Sequence, residues 1–284
     1  MRSIEHQLQN ARHALASVAG TNAALEARLL AAHAWDMSHE ALLRYGHDPR
    51  DEAALNALLA RRMQAEPVAQ ILGQKDFWKH AFYVSRDVLT PRADSETMIE
   101  TLRRLRPERM APLWILDLGT GSGCLILSAL HEYINASGLA LDASNAALAI
   151  AAKNAATLNL ASRCEFKHSD WCSAATGRFD VVLSNPPYIP TGEMAQLDAD
   201  VRDYEPHAAL DGGADGLDCY RSILQQLPQH LNANALVVFE VGMGQAADVA
   251  ALGVAHGFEL KEIVNDLAGI ARVVVLTRQT LTEC

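Results

Sequence analysis

"LWILDLGTGSGC", residues 113–124, is the stretch on which the architecture turns. Leu113 to Leu118 is an apolar run broken by one aspartate, the pattern of a strand covered on both faces. Three glycines follow at alternate positions, Gly119, Gly121 and Gly123, and an apolar helical stretch begins behind them. Glycine adopts backbone conformations that other residues avoid, so it can turn a strand sharply into a helix and let a ligand lie against the main chain. The dinucleotide pattern G-x-G-x-x-G is not met, because its sixth position is Cys124. On these residues alone, a tight turn and a ligand cradle are equally good readings.

The same alternation continues outward. "SGLALD" (137–142), "RCEFKH" (163–168), "FDVVLS" (179–184), "ALVVFEV" (235–241), "FELKEIV" (258–264) and "ARVVVLT" (271–277) predict six further strands. Helical stretches separate most of them, at 123–133, 144–158, 217–231 and 244–256. Strands alternating with helices predict an α/β domain, a mostly parallel seven-stranded sheet with helices on both faces. The last two strands have no helix between them and are expected to form an antiparallel hairpin at one edge.

Upstream the composition changes. Residues 1–73 are rich in Ala and Leu, with Ile4, Leu8, Leu15 and Val18 in helical period, and predict a small helical bundle. In "HDPRDEAALNALLARRM" (47–63), Asp48 reads as the N-cap and Pro49 as the first helical residue. Residues 74–91 hold Phe77, Trp78, Phe82, Tyr83 and Val84 and predict a connecting β-hairpin turning at Lys79-His80. The α/β domain is expected over 92–284.

Bulk properties limit the function. The formal net charge is −10, and residues 1–90 are balanced, so all of the acidic excess lies beyond them. An acidic domain of this kind is a poor generic binder of nucleic acid, which needs a basic face. The five cysteines, Cys124, Cys164, Cys172, Cys219 and Cys284, contain no C-x-x-C pair and are odd in number. Neither a disulfide framework nor a zinc site is expected, and a reducing cytoplasm is. No signal peptide or membrane span is evident.

Two sites emerge from the strand ends. The second strand finishes at Asp142, a carboxylate placed to accept from ribose hydroxyls, and the third is followed by Asp170 and Trp171. A carboxylate can accept from an adenine amino group and an indole can cover its face. Asp142 and Asp170 can equally be helix N-caps, and Trp171 a core residue. The fourth strand ends in Asn185-Pro186-Pro187-Tyr188. Proline has no N–H, so this loop offers acceptors without donors, and the Asn185 side chain adds another. Such a loop can hold both hydrogens of an NH2 group while Tyr188 presents a flat face to a planar group. That is what methylation of an amide nitrogen requires, and no general base is assigned.

Together, "DLGTGSG" and "NPPY" resemble an S-adenosylmethionine-dependent N-methyltransferase. The chain as a whole resembles the protein-(glutamine-N5) methyltransferases of peptide-chain release factors, through "EPVAQILGQKDFW" (66–78), "VLTPRADSE" (88–96), "VRDYEPHAALDGGADGLDCYRSI" (201–223), "FEVGMGQ" (239–245) and "DLAGIARVVV" (266–275). The resemblance implies a Rossmann-like methyltransferase domain behind a helical substrate-docking domain. It implies S-adenosyl-L-methionine bound by Gly119, Thr120, Gly121, Ser122, Gly123, Asp142, Asp170 and Trp171, with Asn185 beside it. It implies that Asn185, Pro186, Pro187 and Tyr188 bind and activate the glutamine of the Gly-Gly-Gln motif of class I release factors. Where the family has Pro-Arg-Pro, this chain has Pro91-Arg92-Ala93, a segment readable as an active-site lid or as a helix start capped by Asp94 or Ser95. A DNA or RNA amino-group methyltransferase is the competing class, disfavoured by the charge.

Overall fold

The computed structural model describes residues 1–18 and 22–278 and divides into two compact units, Met1–Gln74 with Gln196–Glu205, and Lys75–Ala195 with Pro206 onward. Cys284 lies outside the described residues.

The first unit is helical. Helices α1 (Ile4–Leu15), α2 (Ala23–Ala34), α3 (His39–Arg44) and α4 (Glu52–Met63) each begin at a side-chain cap: Ser3, Asn22, Ser38 and Asp51. A fifth, α5 (Val68–Leu72), ends on Gly73 in the left-handed conformation. Asp51, not Asp48, caps α4, accepting from the N–H of Ala53 at 3.1 Å. Pro49-Arg50 instead pairs antiparallel with Arg2-Ser3, and Gln7 bonds to the carbonyls of Arg2 and Arg50. That pairing keeps Pro49 out of the helix, so the second acidic residue becomes the cap. Residues 196–205 carry a short helix, Ala199–Arg202, held by Tyr204 donating to Gln64 O and Gln70 donating to Tyr204 O.

The second unit opens with a hairpin, Gln74–Phe77 and His80–Tyr83, whose Phe77 and Phe82 rings meet edge-on in the core. Its turn is Trp78-Lys79, one residue earlier than expected, with Trp78 at φ +57°. Trp78 is pinned there by bonds to Glu96 from its backbone and to Glu132 from its indole. Residues 84–91 continue without regular structure.

The sheet contains β1 (Trp114–Leu118), β2 (Ser137–Asp142), β3 (Cys164–His168), β4 (Phe179–Ser184), β5 (Leu231–Glu240), β6 (Phe258–Asn265) and β7 (Ala271–Arg278), in the order β6-β7-β5-β4-β1-β2-β3. The first five are parallel, and β7 runs antiparallel to both its neighbours. The final pair is the expected antiparallel hairpin at one edge of the sheet. The fully buried run Val273–Leu276 needs cover on all sides, so β7 lies inside, while β6, with its charged residues, takes the edge. β5 starts at Leu231 rather than 235, because Pro228 cannot continue the preceding α-helix, which tightens into a 3₁₀ turn.

Alternate residues of each strand serve two cores. One joins the sheet to α6 (Glu96–Leu105), α7 (Cys124–Glu132) and part of α8 (Asn145–Thr157); the other joins it to α9 (Asp218–Gln226) and α10 (Ala246–Ala255). The strand order reverses between β1 and β4, so their carboxyl ends flank the crevice where such sheets bind ligands. No helix among the described residues is long and apolar enough to cross a membrane.

Candidate active site

A cavity of about 380 Å³ opens at those strand ends. Its walls include Gly119 to Ser122 after β1, Asp142 after β2, Asp170 and Trp171 after β3, and Asn185 and Pro187 after β4.

The glycine turn is tied down before any ligand arrives. Gly119 and Thr120 both donate backbone N–H groups to Leu141 O, at 2.9 and 3.0 Å. Thr120 Oγ1 donates to Asp117 Oδ2 at 2.7 Å. Gly119 and Gly121 have φ of +70° and +53°, which only glycine adopts at little cost. A Cβ at Gly121 would meet nothing within 4 Å, since that side of the turn is open. Gly123 has another task. It does not line the cavity, and a Cβ there would press Leu127 and Ala151 at 3.1 and 3.2 Å, so it lets α7 pack closely on α8.

Asp142 is not the cap of α8; Ser144 is, accepting from Ala147 N at 3.2 Å. The Asp142 oxygens accept from Gly121 N at 2.9 Å and Ser144 N at 2.8 Å. A carboxylate has about four acceptor positions, so Asp142 can brace the turn and still accept from hydroxyls in the cavity. Asp170 is exposed and no helix follows it, which removes the cap reading. Trp171 combines both expectations: it packs partly on the second core and faces the cavity. Its left-handed backbone, φ +47°, is held by Ser169 Oγ donating to Trp171 O at 2.7 Å.

The loop after β4 is only partly in the cavity wall. Ser184 Oγ donates to Leu118 O at 2.8 Å and joins the two strand ends. Asn185 lines the cavity and donates from Nδ2 to Ser95 Oγ at 3.4 Å. Pro187 lines it too, whereas Pro186 is buried. Tyr188 packs on the second core and is absent from the wall; burial pushes its hydroxyl up to about 12.

Residues 91–96 form a 3₁₀ turn, Ala93–Ser95, running straight into α6. Ser95 makes no capping bond; it is buried in the cavity wall, beside Pro91 and Arg92. Three contributors were not assigned from sequence. Ser95 lies in the segment readable as a lid or as a helix start, and Glu240 and Gln245 carry signals only through "FEVGMGQ". Burial raises both the Asp117 and the Glu240 carboxyls to about 7. Among the described residues no group of three or more His, Cys, Asp or Glu side chains could hold a metal ion, and the four described cysteines are unpaired.

The cavity fits a nucleoside with an attached chain. It offers an open glycine turn, a carboxylate with acceptor capacity left and an indole face, with acceptor groups one strand away.

Comparison with known proteins agrees with this geometry. Residues 93–200 match the family described as Methyltransferase small domain, and residues 6–73 match PrmC N-terminal domain. The chain is 43% identical over 263 residues to a release factor glutamine methyltransferase of Cereibacter sphaeroides, covering 92% of this chain and 93% of the relative. It is 40% identical over 282 residues to one of Agrobacterium fabrum, covering 97% and 98%. A solved ribosomal protein L11 methylase from Lactobacillus delbrueckii shares the fold, with a TM-score of 0.51 at 19% identity over 68% of this chain and 82% of that one. On the strength of the sequence relatives, this chain belongs to the release factor glutamine methyltransferase family.

Proposed function

We propose that the protein transfers the methyl group of S-adenosyl-L-methionine to the side-chain amide nitrogen of the glutamine in the Gly-Gly-Gln motif of class I release factors. The observation that carries this reading is the setting of Asn185. Its NH2 is engaged by Ser95, and no donor among the described residues engages its Oδ1, in a residue that lines the cavity.

When bound, the cofactor supplies an electrophilic methyl group on a sulfonium. Gly119 to Ser122, Asp142, Asp170 and Trp171 are the residues that would hold it. Asn185 Oδ1 and the Pro186 carbonyl would take the two N–H groups of the glutamine amide. An amide nitrogen is a weak nucleophile because its lone pair is delocalised into the carbonyl. Acceptors gripping both hydrogens from one side favour a pyramidal nitrogen and direct its lone pair across the cavity. Placement of this kind can supply about 7–11 kcal/mol of a barrier. The surplus proton becomes acidic only once the methyl has arrived, so a strong base is unnecessary. Tyr188, half-buried against the second core, anchors the loop and would offer its remaining face to the planar amide.

On the same reading residues 1–73 dock the release factor, and the enzyme works in the cytoplasm with that protein as its partner. The test is mass spectrometry of purified release factor incubated with the protein and isotopically labelled cofactor. Label on the Gly-Gly-Gln glutamine is expected; label elsewhere, or none, refutes the proposal.

A further inference from the structure

The acceptor role of Asn185 requires one of two nearly isosteric orientations of a primary amide. Turned by half a rotation, the side chain would offer an NH2 to a substrate NH2 and repel it. Something must hold the correct orientation, and a bond from Nδ2 to a hydroxyl at 3.4 Å does not suffice. Ser95 Oγ can accept from an NH2, but it can equally donate to an amide oxygen.

Glu240 removes that ambiguity. It ends β5 one residue past Phe239, which pairs with Ser184 in the parallel register, so it lies beside Asn185; it is 1% exposed and does not line the cavity. Burial opposes its charge, whereas the neighbouring Ser95 hydroxyl, Arg272 and the Asn185 amide favour it. Arg272 is itself held at Asp266 and Asp94 at 3.3 and 3.6 Å. An ionised carboxylate is purely an acceptor. It draws the Ser95 proton towards itself, which leaves the Ser95 lone pairs to accept from Asn185. It also attracts the Asn185 NH2 and repels Oδ1.

We infer that Glu240 is a positioning residue for the methyl transfer, acting with Ser95 to turn the Asn185 carbonyl oxygen towards the substrate amide. The inference rests on the role proposed for Asn185. Glu240 is not part of the cavity wall. The carboxylate is there for polarity, since no partner reaches its buried Oε2 and an apolar residue would fill the space without desolvation.

The test is Glu240→Gln in the full-length protein, beside Asn185→Ala. Gln fills the same space but buries an NH2, which gains a partner if Asn185 turns its oxygen inward. The flipped orientation then competes with the productive one. The kcat for release-factor methylation should fall about ten- to a hundredfold. The KM for the release factor, the Kd for S-adenosyl-L-methionine by calorimetry and the melting temperature should all stay close to wild type. An unchanged kcat, or a loss matched by weaker cofactor binding or a lower melting temperature, overturns the inference. If Glu240→Gln fails to fold, Ser95→Ala carries the same test, with the same split between kcat and binding expected. Should Asn185→Ala itself retain turnover, the catalytic reading of the loop fails; should only Asn185→Ala lose it, the Glu240 role alone is refuted.

Discussion

Gln245 donates from Nε2 to the backbone oxygen of Tyr188 at 2.9 Å, while its Oε1 accepts from Gly242 N at 3.0 Å. One side chain thus fixes the rear of the Asn-Pro-Pro-Tyr loop to the turn that precedes α10. The loop's far end is bridged as well: Ile189 N donates to Leu210 O, and Gly212 N donates to Ile189 O. The loop is therefore braced by two segments distant in sequence, 210–216 and 242–245.

Removing the Gln245 brace should damage catalysis more than stability. Gln245→Ala loses bonds worth about 1 kcal/mol each in net stability, so the melting temperature should drop by about 2–4 °C for each. A loop displaced by 1 Å can cost about a hundredfold in rate. Turnover on release factor and a thermal melt, run on the same preparation, check this. Equal proportional losses would mean that Gln245 is simply part of the packing.

Gly212 tests the same brace sterically. A Cβ there would lie 2.7 Å from Tyr188 Cα and 2.9 Å from Gly216 Cα, all of it backbone that cannot swing aside. Gly212→Ala should cost about 1–3 kcal/mol and lower kcat by more than about tenfold as the loop shifts. Gly192→Ala is the control, since nothing lies within 4 Å of its Cβ and its φ is unexceptional. Chemical denaturation and steady-state kinetics of the two variants should separate them clearly.

The sequence carried the parts of the site that sit directly on strand ends. Gly119, Asp142 and Asn185 all end or follow buried runs, and burial of a run is a local property of composition. What it did not carry depends on pairing over long distances. Nothing near Ala271–Arg278 says that the strand inserts between two others; that follows from which strands must cover its apolar run. Tyr188 is legible as an aromatic, but its partial packing on the second core is not. Ser95 reads equally as a lid residue or as a cap because it stands at a helix start, and its hydroxyl turns to Asn185. Asp48 read as a cap because the competing pairing of Pro49 with Ser3 lies 46 residues away.

Asp142 is expected to act through two routes, and two substitutions separate them. It holds Gly121 N and Ser144 N, and it lines the cavity. Asp142→Ala removes both functions and should weaken cofactor binding about ten- to a hundredfold, the cost of stranding half-buried donors and losing a charged acceptor. Asp142→Asn keeps one oxygen and should lose less. Calorimetric titration with S-adenosyl-L-methionine measures both. Unchanged affinity in Asp142→Ala would reduce the residue to a backbone clasp.

Asp117 makes a prediction about pH whose sign can be worked out. It is fully buried at the end of β1, Oδ2 accepts from Thr120, and Oδ1 has no partner. Burial raises its carboxyl from 3.8 to about 7, against the Thr120 bond, which lowers it. The folded state therefore holds this proton more tightly than the unfolded chain does. Its stabilising contribution is complete below the unfolded value, declines as pH climbs and is exhausted above about 7. Glu240 adds the same trend from 4.5 to about 7, while His80, lowered mainly by burial, opposes it near its ordinary range. Comparison with Asp117→Asn cancels those shared contributions and keeps an acceptor for Thr120. In denaturant titrations from about pH 5 to about pH 8, the variant should gain stability relative to wild type as pH rises. A difference that stays constant across that range would show that Asp117 is ionised in the folded protein at all these pH values.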